Sequence, residues 1–331
     1  MSSQRVHAAE HAVGVAAPAG VVYGLLADAV RWPVLFPSYV HVERMDHDGT
    51  EERLHLWDLV QGRVRPLRVR RRLHPRTRTV ETERTDPVTP GATTSGLWRV
   101  TPDGDRCVLS LRREHDPPPW FGASPETDDS ALEAEVITRL DEVKAVAERW
   151  TTFDQVLLAF EDSVRVSGPH ELVYDFFHRI EEWPELVPHI DRVDVEEDVP
   201  GVQIADIAGG DWDGGGAVVS RAVRLCFPAA GRVVHKDLVA TDPDDAEASP
   251  GLSRLLAGHT TEWSVLPGPL GTLVVCSHSV MLEDAAVDRV LGPDATLVDA
   301  RHEVRAGLGQ ASREVLCLAK WHAENALRRV G

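Results

Sequence analysis

The sequence predicts an α+β chain made of two tandem copies of one domain, each a curved antiparallel sheet wrapped around a long C-terminal helix. Three observations carry that prediction. The chain is duplicated: one constant offset brings Val13 and Val15 onto Val164 and Val166, Pro18 onto Pro169 and Tyr23 onto Tyr174. The same offset takes Trp32-Pro33 to Trp183-Pro184, Leu35 to Leu186 and Pro37 to Pro188, a set of Trp and Pro matches that chance does not keep in one register. Each copy then runs through several alternating, turn-punctuated segments. Each closes on a long stretch with apolar residues at helical spacing.

The elements follow in the same order in both copies. A short alternating strand (Val13, Val15; Val164, Val166) precedes a helix signalled by Pro18 or Pro169 near its start. The apolar stripe of that helix is Val21, Val22, Leu25 and Leu26 in the first copy, and Leu172, Val173, Phe176 and Phe177 in the second. It is expected to end at Trp-Pro, because proline disfavours a helical residue before it. Strands follow, separated by turns such as Asp46-His47-Asp48-Gly49, Pro102-Asp103-Gly104 and Pro267-Gly268-Pro269. The closing helices are predicted over about Ser130 to Phe160 (Leu132, Val136, Leu140, Val143, Ala147) and about Thr296 to Arg329 (Val304, Leu308, Ala311, Val315, Ala319). The domains are therefore 1–155 and 156–331. Asp116 to Asp129 and Asp242 to Gly251 read as mobile loops over a pocket.

Composition narrows the function classes. The chain has 331 residues, enough for two cores, and its net charge of −18 argues against wrapping a phosphate backbone. The polar N-terminus and the absence of a long apolar run predict a cytoplasmic protein that does not enter a membrane. Four scattered cysteines (Cys107, Cys226, Cys276, Cys317) form no CxxC pair and read as buried reduced thiols. There is no GxxxxGK[ST], GxSxG, HExxH or strand-linked GxGxxG. The run Gly209 to Gly216 reads as a loop, and His7 and His11, placed before the first strand, are not taken as metal ligands. No metal and no cofactor is expected.

Strand parity identifies the inward residues. Over Arg65 to Leu73 the apolar set is Leu67, Val69 and Leu73, and it contains Arg71. Counted back from Pro75 and Pro228, the second copy gives Ser220, Ala222, Arg224 and Cys226, so an arginine recurs at the same place. Such a guanidinium is either paired with a buried carboxylate or faces a ligand. A later strand aims Leu109, Leu111, Arg113 and His115 inward, and its counterpart aims Val274, Cys276, His278 and Val280. His278 is a core histidine or an acid/base group. Trp98 and Trp263, at matching places on the preceding strand, are core or pocket wall. Arg68, Arg70 and Arg72, with Arg76 and Arg78, form a solvated face or a local basic patch for an acidic partner.

The segments Trp32-Pro33-Val34-Leu35-Phe36-Pro37-Ser38-Tyr39 and Trp183-Pro184-Glu185-Leu186-Val187-Pro188-His189-Ile190 resemble the di-domain aromatase/cyclases of bacterial type II polyketide synthases. The strand arginine before a turn proline and the later strand tryptophan match too, and the likeness spans the whole chain. Trp-Pro alone is shared with related lipid- and coenzyme-Q-binding domains. The resemblance implies a helix-grip (START/Bet v1-like) fold. It also implies a poly-β-ketone substrate tethered to acyl carrier protein through phosphopantetheine, other synthase subunits as partners, first-ring aldol closure and then dehydration to an aromatic ring. It makes Arg71 and Arg224 the pocket arginines and Trp32, Phe36, Tyr39 and Trp98 the aromatic lining; in the second copy Trp183, Trp263 and the inward Ser220 are the candidate substrate contacts. Val187 and Ile190 replace the Phe and Tyr there, and the tryptophan usual at the start of the arginine strand is absent from both copies.

These residue types suit the chemistry. Arginine holds an enolate or alkoxide oxygen; Tyr39, His115 or His278 carry protons; an apolar wall folds the chain and excludes water. The rival readings are a non-catalytic tandem carrier of a lipid, quinone or polyketide, and a structural chaperone of a synthase complex.

Overall fold

Residues 7–60, 62–85, 93–116, 129–210, 217–238 and 251–330 are described by the computed structural model. The chain divides into two compact units, Met1–Phe153 and Asp154–Gly331. Each unit holds one seven-stranded antiparallel sheet. In the first the strands are β1 His7–Val15, β2 Tyr39–His47, β3 Glu51–Val60, β4 Arg63–His74, β5 Thr79–Thr85, β6 Thr93–Asp103 and β7 Arg106–Asp116. In the second they are β8 Leu157–Val166, β9 Ile190–Val199, β10 Val202–Gly210, β11 Ala217–Phe227, β12 Arg232–Leu238, β13 Leu256–Gly268 and β14 Gly271–Leu282. The spatial orders are β1-β7-β6-β5-β4-β3-β2 and β8-β14-β13-β12-β11-β10-β9, so each sheet is a meander whose first strand closes onto its last. A long helix, Asp129–Ala147 or Leu297–Val330, packs on that first strand.

The duplicated sequence explains the duplicated start. Helices Ala19–Ala27 and His170–His178 begin after Pro18 and Pro169, and bury Val22, Leu25 and Leu26, or Val173, Phe176 and Phe177, under the sheet. Burial of each such side chain stabilises by roughly 1.5–3 kcal/mol. Trp-Pro does not end this helix; it opens a second, one-turn helix, Trp32–Leu35 or Trp183–Leu186. Proline is tolerated there because a first-turn N–H has no intrahelical partner to lose.

What closes the first helix is a pair of side chains, one from the turn just downstream and one from far along the chain. Trp32 Nε1 donates to Leu25 O at 2.9 Å and Arg71 Nη2 donates to Leu26 O. In the second unit Trp183 Nε1 donates to Phe176 O at 2.8 Å and Arg224 Nη2 to Phe177 O. The guanidinium of Arg71 also lies 4.7 Å from the Trp32 ring centroid, and Arg224 lies 6.0 Å from Trp183. A helix C-terminus offers orphan carbonyls and negative potential, so an indole N–H and a cation satisfy both.

Several sequence expectations change. The first long helix stops at Ala147, not near Phe160. A 3-10 turn, Trp150–Thr152, and one helical turn, Phe153–Val156, follow it, and Leu157 onward is drawn into β8 by its pairing with β14. His7 and His11 lie within β1, not before it. Gly209 and Gly210 end β10, while the rest of that glycine run lies outside the described residues. The two proposed pocket loops lie almost wholly outside them as well. Cys107, Cys226 and Cys276 are buried thiols, but Cys317 is exposed. No described helix is long and apolar enough to cross a membrane.

The two caps differ in charge balance. Arg71 Nη1 pairs with the fully buried Glu52 at 2.9 Å, whereas Arg224 Nη1 meets the amide oxygen of Gln203 at 2.6 Å. Breaking a buried pair by deleting one partner costs about 3–5 kcal/mol, and an unpaired buried carbonyl about 1–3 kcal/mol. Arg71→Met is therefore expected to destabilise its unit more than Arg224→Met, and adding Glu52→Gln to Arg71→Met should restore part of the loss. Denaturant unfolding of the single and double variants checks this; equal losses with no coupling between the two positions would contradict it.

Candidate active site

One rung of cross-strand pairs organises the interior of each unit. In the first it runs Glu52, Arg71, Thr82, Gly96, Arg113, Ala9; in the second, Gln203, Arg224, His235, Thr261, His278, Phe160. Because inward positions recur every second residue, the next inward positions toward the long helix are Arg84 and Thr94 in one unit and Asp237 and His259 in the other. The backbone addresses match and the chemistry does not.

In the first unit the rung leads into a nest of arginines and carboxylates. Fully buried Asp58 accepts from Arg65 Nε at 3.1 Å and Nη2 at 2.9 Å, with Arg139 at 3.5 Å and Arg84 at 4.0 Å. Glu135, on the long helix, lies 2.5 Å from Arg113 and 3.6 Å from Arg84. Glu142 lies 3.4 Å from Arg139 and accepts the Ser38 backbone N–H at 3.2 Å and the Ser38 hydroxyl. Burial raises the Glu135 carboxyl, but the charges of Arg113 and Arg84 outweigh it and bring it down to about 2. Burial, with the Arg84 charge beside it, lowers Arg113 to about 10. Arg139 also stacks 4.4 Å over Tyr39, whose ring is 4.7 Å from Trp32. Phe36 joins that aromatic group, edge-on to both.

In the second unit the same addresses carry a chain of hydrogen bonds. Asp237 Oδ2 is 2.6 Å from His259 Nδ1 and Asp237 Oδ1 is 3.0 Å from His235 Nε2. His259 Nε2 is 3.0 Å from His278 Nδ1, and His278 Nε2 is 2.5 Å from Ser312 Oγ on the long helix. Thr261 Oγ1 flanks that contact, 3.2 Å from His259 Nε2 and 3.3 Å from His278 Nδ1, and Cys276 Sγ lies 3.3 Å from His278 Nε2. Burial, reinforced by the neighbouring His259, pushes the His278 imidazole down to about 3, so it is neutral. Burial raises Asp237, but the charge and hydrogen bonds of His235 and His259 win and hold it well below the usual carboxylate range. Cys276 is pushed up to about 12 by burial and stays a thiol.

The predicted site residues are now placed. Trp32, Phe36, Tyr39, Trp98 and Arg113 are buried in the first unit; His115 is half-buried and bonded to Thr94 Oγ1 at 3.0 Å. Trp183, Trp263 and His278 are buried in the second, Trp263 stacking on Phe177 at 5.4 Å, while Ser220 is half-buried. Donors of Arg71 and Arg224 reach Leu26 O and Glu52, and Phe177 O, His178 O and Gln203, while the buried Nε of each has no hydrogen-bond partner among the described residues. The expected apolar interior is a different one, because parity reports which face a residue takes and not how polar the facing helix is. Within the expected basic patch, Arg70 and Arg72 both pair with Glu51. Sequence reasoning missed Glu52, Asp58, Arg84, Asp237, His259 and Thr261. The parity already used for Trp263 would have returned Thr261 and His259 two and four residues earlier. Glu135, Arg139 and Ser312 flank apolar helix stripes and carried no such signal.

Residues 6–148 match the sequence model of the family described as polyketide cyclase/dehydrase and lipid transport. The chain is 31% identical over 99% of its length to the granaticin polyketide synthase bifunctional cyclase/dehydratase of Streptomyces violaceoruber, covering 97% of that protein. It is 32% identical to the actinorhodin polyketide synthase bifunctional cyclase/dehydratase of Streptomyces coelicolor, covering 96% of each chain. Among solved structures it is similar to the di-domain ARO/CYC BexL of the BE-7585A biosynthetic pathway, with a TM-score of 0.79, 31% identity and coverage of 96% of this chain and 98% of that one.

The neutral state of His278 gives a pH dependence with a definite sign. In the unfolded chain this residue binds a proton near its ordinary value of about 6.5, whereas in the folded chain it does so only near 3. Its contribution to stability is complete above pH 6.5 and is lost as pH falls from there toward 3, by up to about 1.4 kcal/mol per pH unit. His278→Gln should flatten that slope by one proton. Unfolding free energies measured from pH 7 to 4 check it, and parallel curves for the two proteins would contradict it.

Proposed function

The chain belongs to the polyketide cyclase/dehydrase family, and from that premise we propose how its two units share the work of a cyclase/dehydratase in polyketide biosynthesis. The substrate in this proposal is a poly-β-ketone carried on the phosphopantetheine of an acyl carrier protein, with the other synthase subunits upstream. The first unit folds the chain and closes the first ring by an aldol reaction. The second removes water so that the ring becomes aromatic.

One observation carries the division: register-equivalent positions hold Arg84 and Arg113 in the first unit but Asp237 and His278 in the second. Ring closure develops negative charge on an enolate and then on an alkoxide oxygen. Guanidiniums cannot act as bases at neutral pH, but they stabilise such oxygens, and more strongly away from water. Trp32, Phe36, Tyr39 and Trp98 supply a rigid wall that limits the conformations of a flexible chain, and orientation of this kind lowers a barrier by several kcal/mol, up to about 7–11 for ideal geometry. Dehydration needs something else, a group that takes a proton from carbon and returns one to a leaving hydroxyl. The second unit has the imidazoles for this, while its arginine is held by Phe177 O, His178 O and Gln203. Arg71 and Arg224 act here as positioning residues, fixing the helix and tryptophan that shape each wall. A carrier of lipid or finished polyketide requires no Asp–His–His–Ser chain, so that feature favours the enzyme.

The full-length protein, added to a minimal synthase, distinguishes the two units by product analysis. Arg113→Gln should lower the yield of correctly closed ring, on the order of 10²-fold for loss of an oxyanion donor. His278→Asn should leave ring closure intact and accumulate a cyclised product that retains the aldol hydroxyl. Wild-type product at wild-type rate from both variants, or failure of both at the same step, would refute the division.

A further inference from the structure

A buried imidazole that stays neutral down to about pH 3 is a weak base by itself, so His278 alone is poorly suited to removing a proton from carbon. The hydrogen bonds around it resolve this. An ionised Asp237 carboxylate only accepts, so His259 must carry its proton on Nδ1, which faces Asp237 Oδ2 at 2.6 Å. In the neutral imidazole His259 Nε2 is then a lone pair, facing His278 Nδ1 at 3.0 Å with the two ring planes within 8° of parallel. His278 therefore carries its proton on Nδ1 and presents a lone pair on Nε2. The hydroxyl of Ser312 has two acceptors in reach, that Nε2 at 2.5 Å and Leu308 O at 2.8 Å. Polarity thus runs one way along the whole chain, set by the carboxylate at its far end.

We infer that Asp237, His259, His278 and Ser312 form a proton relay in which His278 passes the proton on and the His259–Asp237 pair holds it. The inference rests on the reading of the second unit as the dehydrating one. A proton leaving the substrate carbon arrives at His278 Nε2, directly or through the Ser312 hydroxyl. The proton on His278 Nδ1 moves to His259 Nε2, so the positive charge appears on His259 beside an anion instead of on His278. The C–H electron pair forms the new C=C bond and expels the hydroxyl. The reverse transfer then protonates that leaving group, which departs as water and returns the relay to its starting state.

The surroundings are arranged to suit this. Around His278 stand Cys276 on its own strand, Phe160 stacked at 4.8 Å on β8, and Ser312 and Arg305 on the long helix, Arg305 being paired with Asp162 at 3.2 Å. None of these places an anion against His278. The anion is at the other end, where Asp237 also accepts from His235 and its side chain keeps 31% of its exposure. The relay therefore joins the interior to the edge of the unit, and Asp237 and His259 are positioning residues for His278.

The test uses the full-length protein in two ways. In the dehydration assay, Asp237→Asn and His259→Gln should slow water loss by about 10²-fold, within the range for losing general acid–base help, with KM little changed. Asp237→Asn should also change the pH–rate profile, because the carboxylate facing His259 Nδ1 is gone, and Asp237→Glu should restore part of the rate. In nitrogen-15 NMR of the substrate-free protein, His259 and His278 should both carry a proton on Nδ1, with a far-downfield His259 proton that Asp237→Asn abolishes. Dehydration by both variants at wild-type rate and pH profile would overturn the relay, as would an Nε2-protonated His278 in the spectra. If the wild-type protein removes no water from any cyclised substrate, the dehydrating role itself fails, and the spectra still decide the relay's polarity.

Discussion

Everything inward in each unit hangs on the carbonyl oxygens at the end of the first helix. They lie under the sheet, away from water, and each one left unpaired would cost about 1–3 kcal/mol. Trp32 and Arg71 reach Leu25 O and Leu26 O; Trp183 and Arg224 reach Phe176 O and Phe177 O. The two donors come from different places, a helical turn just downstream and the middle of the sheet. Meeting at one helix end, they fix where that helix lies against strand four of the meander. The indole so held becomes wall, and the guanidinium beside it sets the β4 or β11 position of the rung that crosses to β7 or β14.

From that anchor the two units diverge while the backbone stays the same. Glu52 makes the first arginine part of an ion pair, and Arg84 and Arg113 extend a cationic interior balanced by Asp58, Glu135 and Glu142. Gln203 leaves the second arginine facing neutral oxygens, and the next addresses hold Asp237, His259 and His278. Two interiors of opposite chemical character, one rich in fixed donors and one able to move protons, are what a sequence of closure and water loss requires.

The sequence revealed the architecture because duplication and parity are both readable along a chain. The offset relating Trp32-Pro33 to Trp183-Pro184 showed two copies, and alternation put Arg71, Arg113, Arg224 and His278 on inward faces, where the structure has them buried. Partners were harder to see. Glu52 opposes Arg71 only through the register of β3 on β4, and His259 reaches His278 only through β13 on β14. Register depends on turn lengths that single-strand patterning does not specify. The helix partners Glu135, Arg139 and Ser312 lie at the margin of an apolar stripe, where a polar residue ordinarily meets solvent. The end of the first long helix was misplaced for a related reason: Leu157 to Phe160 fit a helical pattern locally, but pairing with β14 pulls them into a strand.

The closure of each sheet by its earliest strand has a consequence for synthesis on the ribosome. Val13 pairs with Leu109, and Val164 with Val274, so each unit's N-terminal segment must wait for nearly the whole unit to emerge before it has a neighbour. Contacts of such wide sequence separation make folding slow, because the loop must close before any pairing compensates for it. The helix cap, by contrast, comes in two instalments. Trp32 needs only the seven residues back to Leu25, while Arg71 must come from forty-five residues beyond Leu26. The nascent chain can thus secure its first helix with the indole soon after that turn leaves the exit tunnel, and the guanidinium locks it once the meander has formed. The first unit can finish before the last strand of the second exists, which keeps two halves of the same strand order from exchanging strands.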